Sequence, residues 1–226
     1  MQNSVDAAFC SSKENECYVF VKNKYVVVNY APGGKKNQII KGPDNITDGF
    51  PMFVNTVFQW KIDSSFDTED NLAYLFSGDQ CVKIDYSPNS PENARLLEGP
   101  GPIIAMFPCL KGTIFENGID AAARHNTDHC ASLFKGDECC VINFRSNKLF
   151  LSTQKITIYF PLFLGTVFEG GIDAAFNFNP VNRDVYFFKG RYYAHINLGN
   201  GFPTRLFING YIKLIRDEWP ALRSIL

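Results

Sequence analysis

One pattern recurs four times along the chain. The copies open with Val5-Asp6-Ala7-Ala8-Phe9, Ile62-Asp63-Ser64-Ser65-Phe66, Ile119-Asp120-Ala121-Ala122-Ala123 and Ile172-Asp173-Ala174-Ala175-Phe176, so the aspartates fall 57, 57 and 53 residues apart. A period this long restricts the fold to a stacked or closed array, because each unit has an apolar face that only its neighbours cover.

Each copy continues in the same order. Two strand-like runs flank a tight turn: Tyr18 to Phe20 before Asn23-Lys24, Tyr74 to Phe76 before Gly78-Asp79, Leu133-Phe134 before Gly136-Asp137, and Tyr186 to Phe188 before Gly190-Arg191. Glycine or asparagine at such a turn supplies the positive φ of a two-residue hairpin. Each copy closes on isoleucine, three residues, an aromatic and proline: Ile46 with Phe50-Pro51, Ile103 with Phe107-Pro108, Ile156 with Phe160-Pro161, Ile215 with Trp219-Pro220. The i,i+4 spacing predicts a short helix with both apolar residues on one face, ended by the proline. From that proline to the next aspartate is 12 residues each time, and a Thr-Val/Ile-Phe triplet sits inside the interval at Thr56, Thr113 and Thr166. The connector between units therefore has fixed geometry.

A unit of about 55 residues with these elements has the size of a propeller blade. A solenoid needs atypical polar caps, whereas here the first and last units keep the common pattern. The expectation is an all-β, four-bladed propeller with short helices at the blade ends. It is one domain over 1–226, with blades at about 4–55, 56–112, 113–165 and 166–226.

The formal net charge is −1 with no basic run, which argues against a nucleic-acid surface or a polybasic membrane anchor. No apolar stretch reaches the roughly 18 residues of a membrane span. Met1 to Asp6 carries no secretory pattern, so the chain reads as cytoplasmic. Seven cysteines without a CxxC pair read as reduced, mostly buried thiols. No nucleophile elbow, P-loop, HExxH helix or dinucleotide fingerprint is present, and the prominent acids are repeated, which points to architecture and away from an enzyme. His125 and His129 have the spacing of a metal pair but fall in a loop, and His195 falls in the second strand of the last hairpin.

The blade opening and the Ile-x-x-x-Phe/Trp-Pro closing resemble hemopexin repeats from about Val5 to Pro220. Within that family, a stand-alone four-repeat chain with free cysteines is most similar to the legume seed albumins. The resemblance implies calcium on the channel axis, bound by the backbone carbonyls of Asp6, Asp63, Asp120 and Asp173. It also implies sodium or chloride at a second level formed by Ala8, Ser65, Ala122 and Ala175. Small residues in the inner strand let four backbones approach, and a hard cation takes oxygen ligands. The competing role for the aspartates is to bond neighbouring amides and set the strand start. The resemblance further implies haem or a polyamine such as spermine as ligand, with a link to oxidative stress or polyamine regulation, seed cytosol as location, and a monomer–homodimer equilibrium. An acidic channel mouth, joined by Glu116 and Glu169, offers an electrostatic reason for a polycation. The alternatives are nutrient storage without a specific ligand and a protein-interaction platform. One departure stands out: residues 173–226 contain no cysteine, so the disulfide that closes secreted hemopexin domains is replaced by non-covalent packing of the two ends.

Overall fold

The structure, a computed structural model, describes residues 4–31, 37–125, 129–179, 184–198, 206–207 and 212–226. The first sheet holds β1 (Ala7–Cys10), β2 (Glu16–Val21), β3 (Lys24–Asn29) and β4 (Gln38–Asn45). The second holds β5 (Ser64–Asp67), β6 (Leu72–Ser77), β7 (Gln80–Asp85) and β8 (Arg95–Pro102). The third holds β9 (Ala121–Arg124), β10 (Cys130–Lys135), β11 (Glu138–Asn143) and β12 (Lys148–Lys155). The fourth holds β13 (Ala174–Asn179), β14 (Asp184–Lys189) and β15 (Tyr192–Asn197), with β16 (Leu206–Phe207) and β17 (Lys213–Leu214) both pairing with β15. All pairings are antiparallel and follow chain order within each sheet. Strand β1 packs against β5 and β13, and β9 packs against the same two, so the first strands of the four sheets form a closed ring. The fold is the four-bladed propeller expected from the repeat.

Single-turn helices α1 (Ile46–Gly49), α2 (Ile103–Met106), α3 (Ile156–Tyr159) and α4 (Ile215–Glu218) end the blades. In each, the isoleucine amide donates to a carbonyl of its own hairpin turn: Asn23, Asp79, Asp137 and Arg191, at 2.8–2.9 Å. The aromatic amide then closes the turn on the isoleucine carbonyl, and proline opens a short 3-10 helix at the position where its missing N–H costs nothing. The first hairpin turn is Lys22-Asn23, one residue earlier than the sequence reading places it, because Lys24 is already paired opposite Val21. Lys22 takes a φ of 55°, the left-handed conformation that Gly78, Gly136 and Gly190 supply elsewhere.

The core lies between blades. Along β1, Ala7 and Phe9 pack toward the second blade while Ala8 and Cys10 pack toward the fourth. Alternate side chains point to opposite faces and both faces are covered, so the inner strands open on small or apolar residues and carry charged or amide groups only toward their far ends. Each connector repeats one device: Thr56, Thr113 and Thr166 donate Oγ1 to the carbonyls of Phe53, Leu110 and Phe163 at 2.6–2.7 Å. That bond orients the triplet, so Phe58, Phe115 and Phe168 are fully buried while Val57, Ile114 and Val167 face solvent.

The ring closes without a disulfide, and all seven cysteines are free. Asn37, buried ahead of β4, donates from Nδ2 to the Glu218 carbonyl at 2.8 Å and accepts the Ala221 amide on Oδ1 at 2.9 Å. Asn147, at the equivalent place ahead of β12, does the same to the second blade, with Met106 O at 2.7 Å and Cys109 N at 3.3 Å. The last junction is thus clasped by the device that joins two inner blades.

Candidate functional site

Each repeat aspartate is held by its own blade. Its amide donates to a phenylalanine carbonyl (Phe20, Phe76, Phe134 or Phe188) at 2.8–3.0 Å. Its carboxylate Oδ2 accepts a hairpin-turn amide: Lys22 at 2.5 Å, Gly78 at 2.7 Å, Gly136 at 2.8 Å and Gly190 at 2.7 Å. A charged acceptor on a backbone N–H is among the stronger hydrogen bonds, so the start of every inner strand is pinned to its turn.

The four aspartates line one cavity of about 580 Å³ together with Lys61, Lys135 and Lys189. Lys61 Nζ lies 2.8 Å from Asp63 Oδ1 and 3.5 Å from Asp6 Oδ1, and Lys189 Nζ lies 2.7 Å from Asp173 Oδ1. Partial burial pulls the Lys61 ammonium down, and the Asp63 and Asp6 carboxylates more than offset this, leaving it above the ordinary lysine value. The mouth is therefore a mixed-charge ring, not the bare acidic one the sequence suggested. Glu116 and Glu169 do not join it. Each accepts a connector amide, Gly112 N at 2.6 Å and Gly165 N at 2.7 Å, and so fixes its own connector.

These contacts bear on which groups suit a metal. The carboxylate Oδ2 atoms are taken by turn amides, and among the described residues no three His, Cys, Asp or Glu side chains cluster as ligands. Ala8, Ala122 and Ala175 are buried in the interblade clusters. Their equivalent Ser65, and Ser64 beside it, carry buried hydroxyls with no hydrogen-bond partner.

Four residues after each aspartate, the inner strands carry Cys10, Asp67, Arg124 and Asn177, a set the sequence reading missed. Cys10 bonds within its own blade, to the Ser11 and Glu16 carbonyls and the Tyr30 hydroxyl, whereas Asp67, Arg124 and Asn177 connect neighbouring blades. Asn177 Nδ2 donates to Arg124 O at 3.1 Å, and Arg124 Nη1 lies 3.6 Å from Asp67 Oδ2, with Nη2 on Glu69 at 3.0 Å. Burial pushes the Asp67 carboxyl up to about 6, while Arg124 and the Cys10 backbone amide pull it down. A carboxyl raised above its unfolded value near 3.8 binds its proton more tightly when folded. Stability is therefore gained as pH falls from about 6 toward 4 and lost again as pH rises through 6. The stability difference between the protein and its Asp67→Asn variant should shift toward the unmodified protein between pH 7 and pH 5 in thermal melts. A shift the other way would contradict this placement.

The histidines do not form a pair. His125 Nε2 bonds Ser132 Oγ at 2.5 Å, whereas His129 faces Arg145 at 2.8 Å from a residue with φ of 59°. His195 is buried against the Tyr186 ring and 3.6 Å from Asp184, and burial lowers its pKa despite that carboxylate. Six of the seven thiols are buried, and burial, with Asp67 adding, pushes Cys10 up to about 12, so thiolate chemistry is suppressed.

Four pinned blades around a mixed-charge axial mouth define a hemopexin-fold propeller. No protein-family model matches the chain. It is 42% identical to Albumin-2 of Pisum sativum over 98% of this chain and 96% of that protein. Among solved structures, the hemopexin-fold protein CP4 from cow pea superposes with a TM-score of 0.93 at 40% identity, covering 98% of each chain. A lectin from Cicer arietinum, described as having two metal-binding sites, superposes with a TM-score of 0.92 at 42% identity, again over 98% of each. The chain belongs to the Albumin-2 family of seed albumins.

Proposed function

We propose that this seed albumin is a non-enzymatic ion-binding protein that holds calcium on the propeller axis through the carbonyls of Asp6, Asp63, Asp120 and Asp173. Sodium or chloride sits at the level of Ala8, Ser65, Ala122 and Ala175. The observation that carries this reading is the repeated lock on the four aspartates. Their side chains bond turn amides of their own blades, which holds four strand starts rigidly around one cavity. The two metal sites of the Cicer arietinum lectin support it. Ligands drawn from four blades resist separation only while the ion is bound, so the ion's role is to stabilise the ring.

A small ligand, haem or spermine, belongs to the same reading, in the seed cytosol and coupled to a monomer–dimer equilibrium. Three lysines at the mouth weaken the electrostatic case for a polycation there, so a polyamine would have to bind elsewhere. A protein-interaction platform is the second reading. It is favoured by Val54, Val57, Trp60, Ile114, Leu164 and Val167, apolar connector side chains that are 40–68% exposed.

Calorimetric titration with calcium after chelation should show one site. A hundredfold excess over the dissociation constant should raise stability by about 2.7 kcal/mol. Spermine and hemin are the parallel arms. Absence of calcium heat together with an unchanged melting temperature would remove the axial-ion reading.

A further inference from the structure

The fourth blade breaks the repeat at three positions that meet in space. Arg191 stands where the other hairpin turns have Asn23, Asp79 and Asp137. Arg216 replaces Thr47, Ile104 and Thr157 of the blade-end helices, and Arg223 replaces Val54, Lys111 and Leu164. The scaffold needs arginine at none of these places, because three sister blades build the same elements without it.

The fold brings the three together. Ile215 N donates to Arg191 O at 2.9 Å, which sets the hairpin turn beside α4, and Arg223 Nε donates to Arg216 O at 2.8 Å. They line a cavity of about 380 Å³ whose other walls, among the described residues, are Leu214, Ile215 and Leu226. Among the described residues it shares no lining residue with the axial mouth. Arg191 rests over the Tyr192 ring, 5.2 Å from its centroid, and Arg216 lies 3.4 Å from Asp217. Arg191 and Arg223 form no ion pair among the described residues.

The guanidinium fork of donors matches carboxylate and phosphate oxygens. The hollow lies in the size range of small-molecule sites, and its apolar walls suit a hydrocarbon portion. We infer that this cleft on the fourth blade binds a small amphipathic oxyanion, the phosphate or carboxylate on the arginines and the apolar part on Leu214 and Leu226.

Titration of the full chain with hexyl phosphate, hexanoate, inorganic phosphate and hexanol tests this and distinguishes the two headgroups. At least one amphipathic anion should bind at a single site, at least tenfold more tightly than inorganic phosphate, while hexanol does not bind. Arg216→Gln combined with Arg223→Gln should weaken that anion at least tenfold at unchanged melting temperature, and Lys155→Gln on the third blade should change nothing. Equal affinity for inorganic phosphate, no binding of either amphipathic anion, or full affinity in the double variant would overturn the inference. Calcium plays no part, so runs with and without chelator separate this result from the axial reading.

Discussion

Trp219→Ala should remove about 3–5 kcal/mol of stability, the range for deleting a large buried aromatic from a packed core. The indole is 3% exposed and meets four rings of the last blade: Tyr186 at 5.1 Å, Phe188 at 5.5 Å, Tyr193 at 6.1 Å and Phe176 at 6.2 Å. The same cluster contains Val19, Val26 and Val28 of the first blade, so the cavity opens at the junction where no peptide bond links the blades. At about 2–4 °C per kcal/mol for a chain of this length, the melting temperature should fall by roughly 6–20 °C. The chain has two tryptophans, and the other supplies the control. Trp60 is 67% exposed, and Trp60→Ala should stay within about 0.5 kcal/mol in chemical denaturation. Similar losses for both would mean that the closing junction is not packed as described.

Asn37→Ala should cost about 2–4 kcal/mol. The substitution deletes the hydrogen bonds to the Ala221 amide and the Glu218 carbonyl, and removing the partner of a buried group such as the Ala221 amide costs about 1–3 kcal/mol. Asn147→Ala removes the same pair of bonds from the second blade, but that junction also has a covalent connector. The two variants should therefore differ in hydrogen exchange more than in equilibrium stability. Loss of Asn37 should expose β4 and the final 3-10 helix to rapid exchange, whereas loss of Asn147 should leave the ends protected. If Asn37→Ala exchanged like the unmodified protein, closure would rest on the aromatic cluster alone.

The blade count, the hairpins, the terminal helices and the aspartate ring were legible because each recurs at a fixed offset. A repeated contact leaves a repeated residue. What escaped notice was whatever depends on closure or on a break in the repeat. Lys61 stands before one isoleucine while Lys135 and Lys189 precede turn glycines, so only the closed ring reveals that they share a mouth with the aspartates. Asn37 and Asn147 are repeat-equivalent, yet two copies without a known partner give no signal until the helix they clasp is seen. The far-end set is hidden for the opposite reason: Cys10, Asp67, Arg124 and Asn177 sit at one offset but differ in chemistry, so they leave no repeated residue. Glu116 and Glu169 misled because sequence shows that they recur but not that they point to Gly112 and Gly165.

The central claim is that four strand starts present their peptide oxygens to a common axis. A crystal soaked in a lanthanide as a heavy stand-in for calcium tests it in one experiment. A single strong anomalous peak should appear on the ring axis, equidistant from the carbonyl oxygens of Asp6, Asp63, Asp120 and Asp173. A peak bound instead by surface carboxylates, or an axis lined by amides at that level, would contradict it.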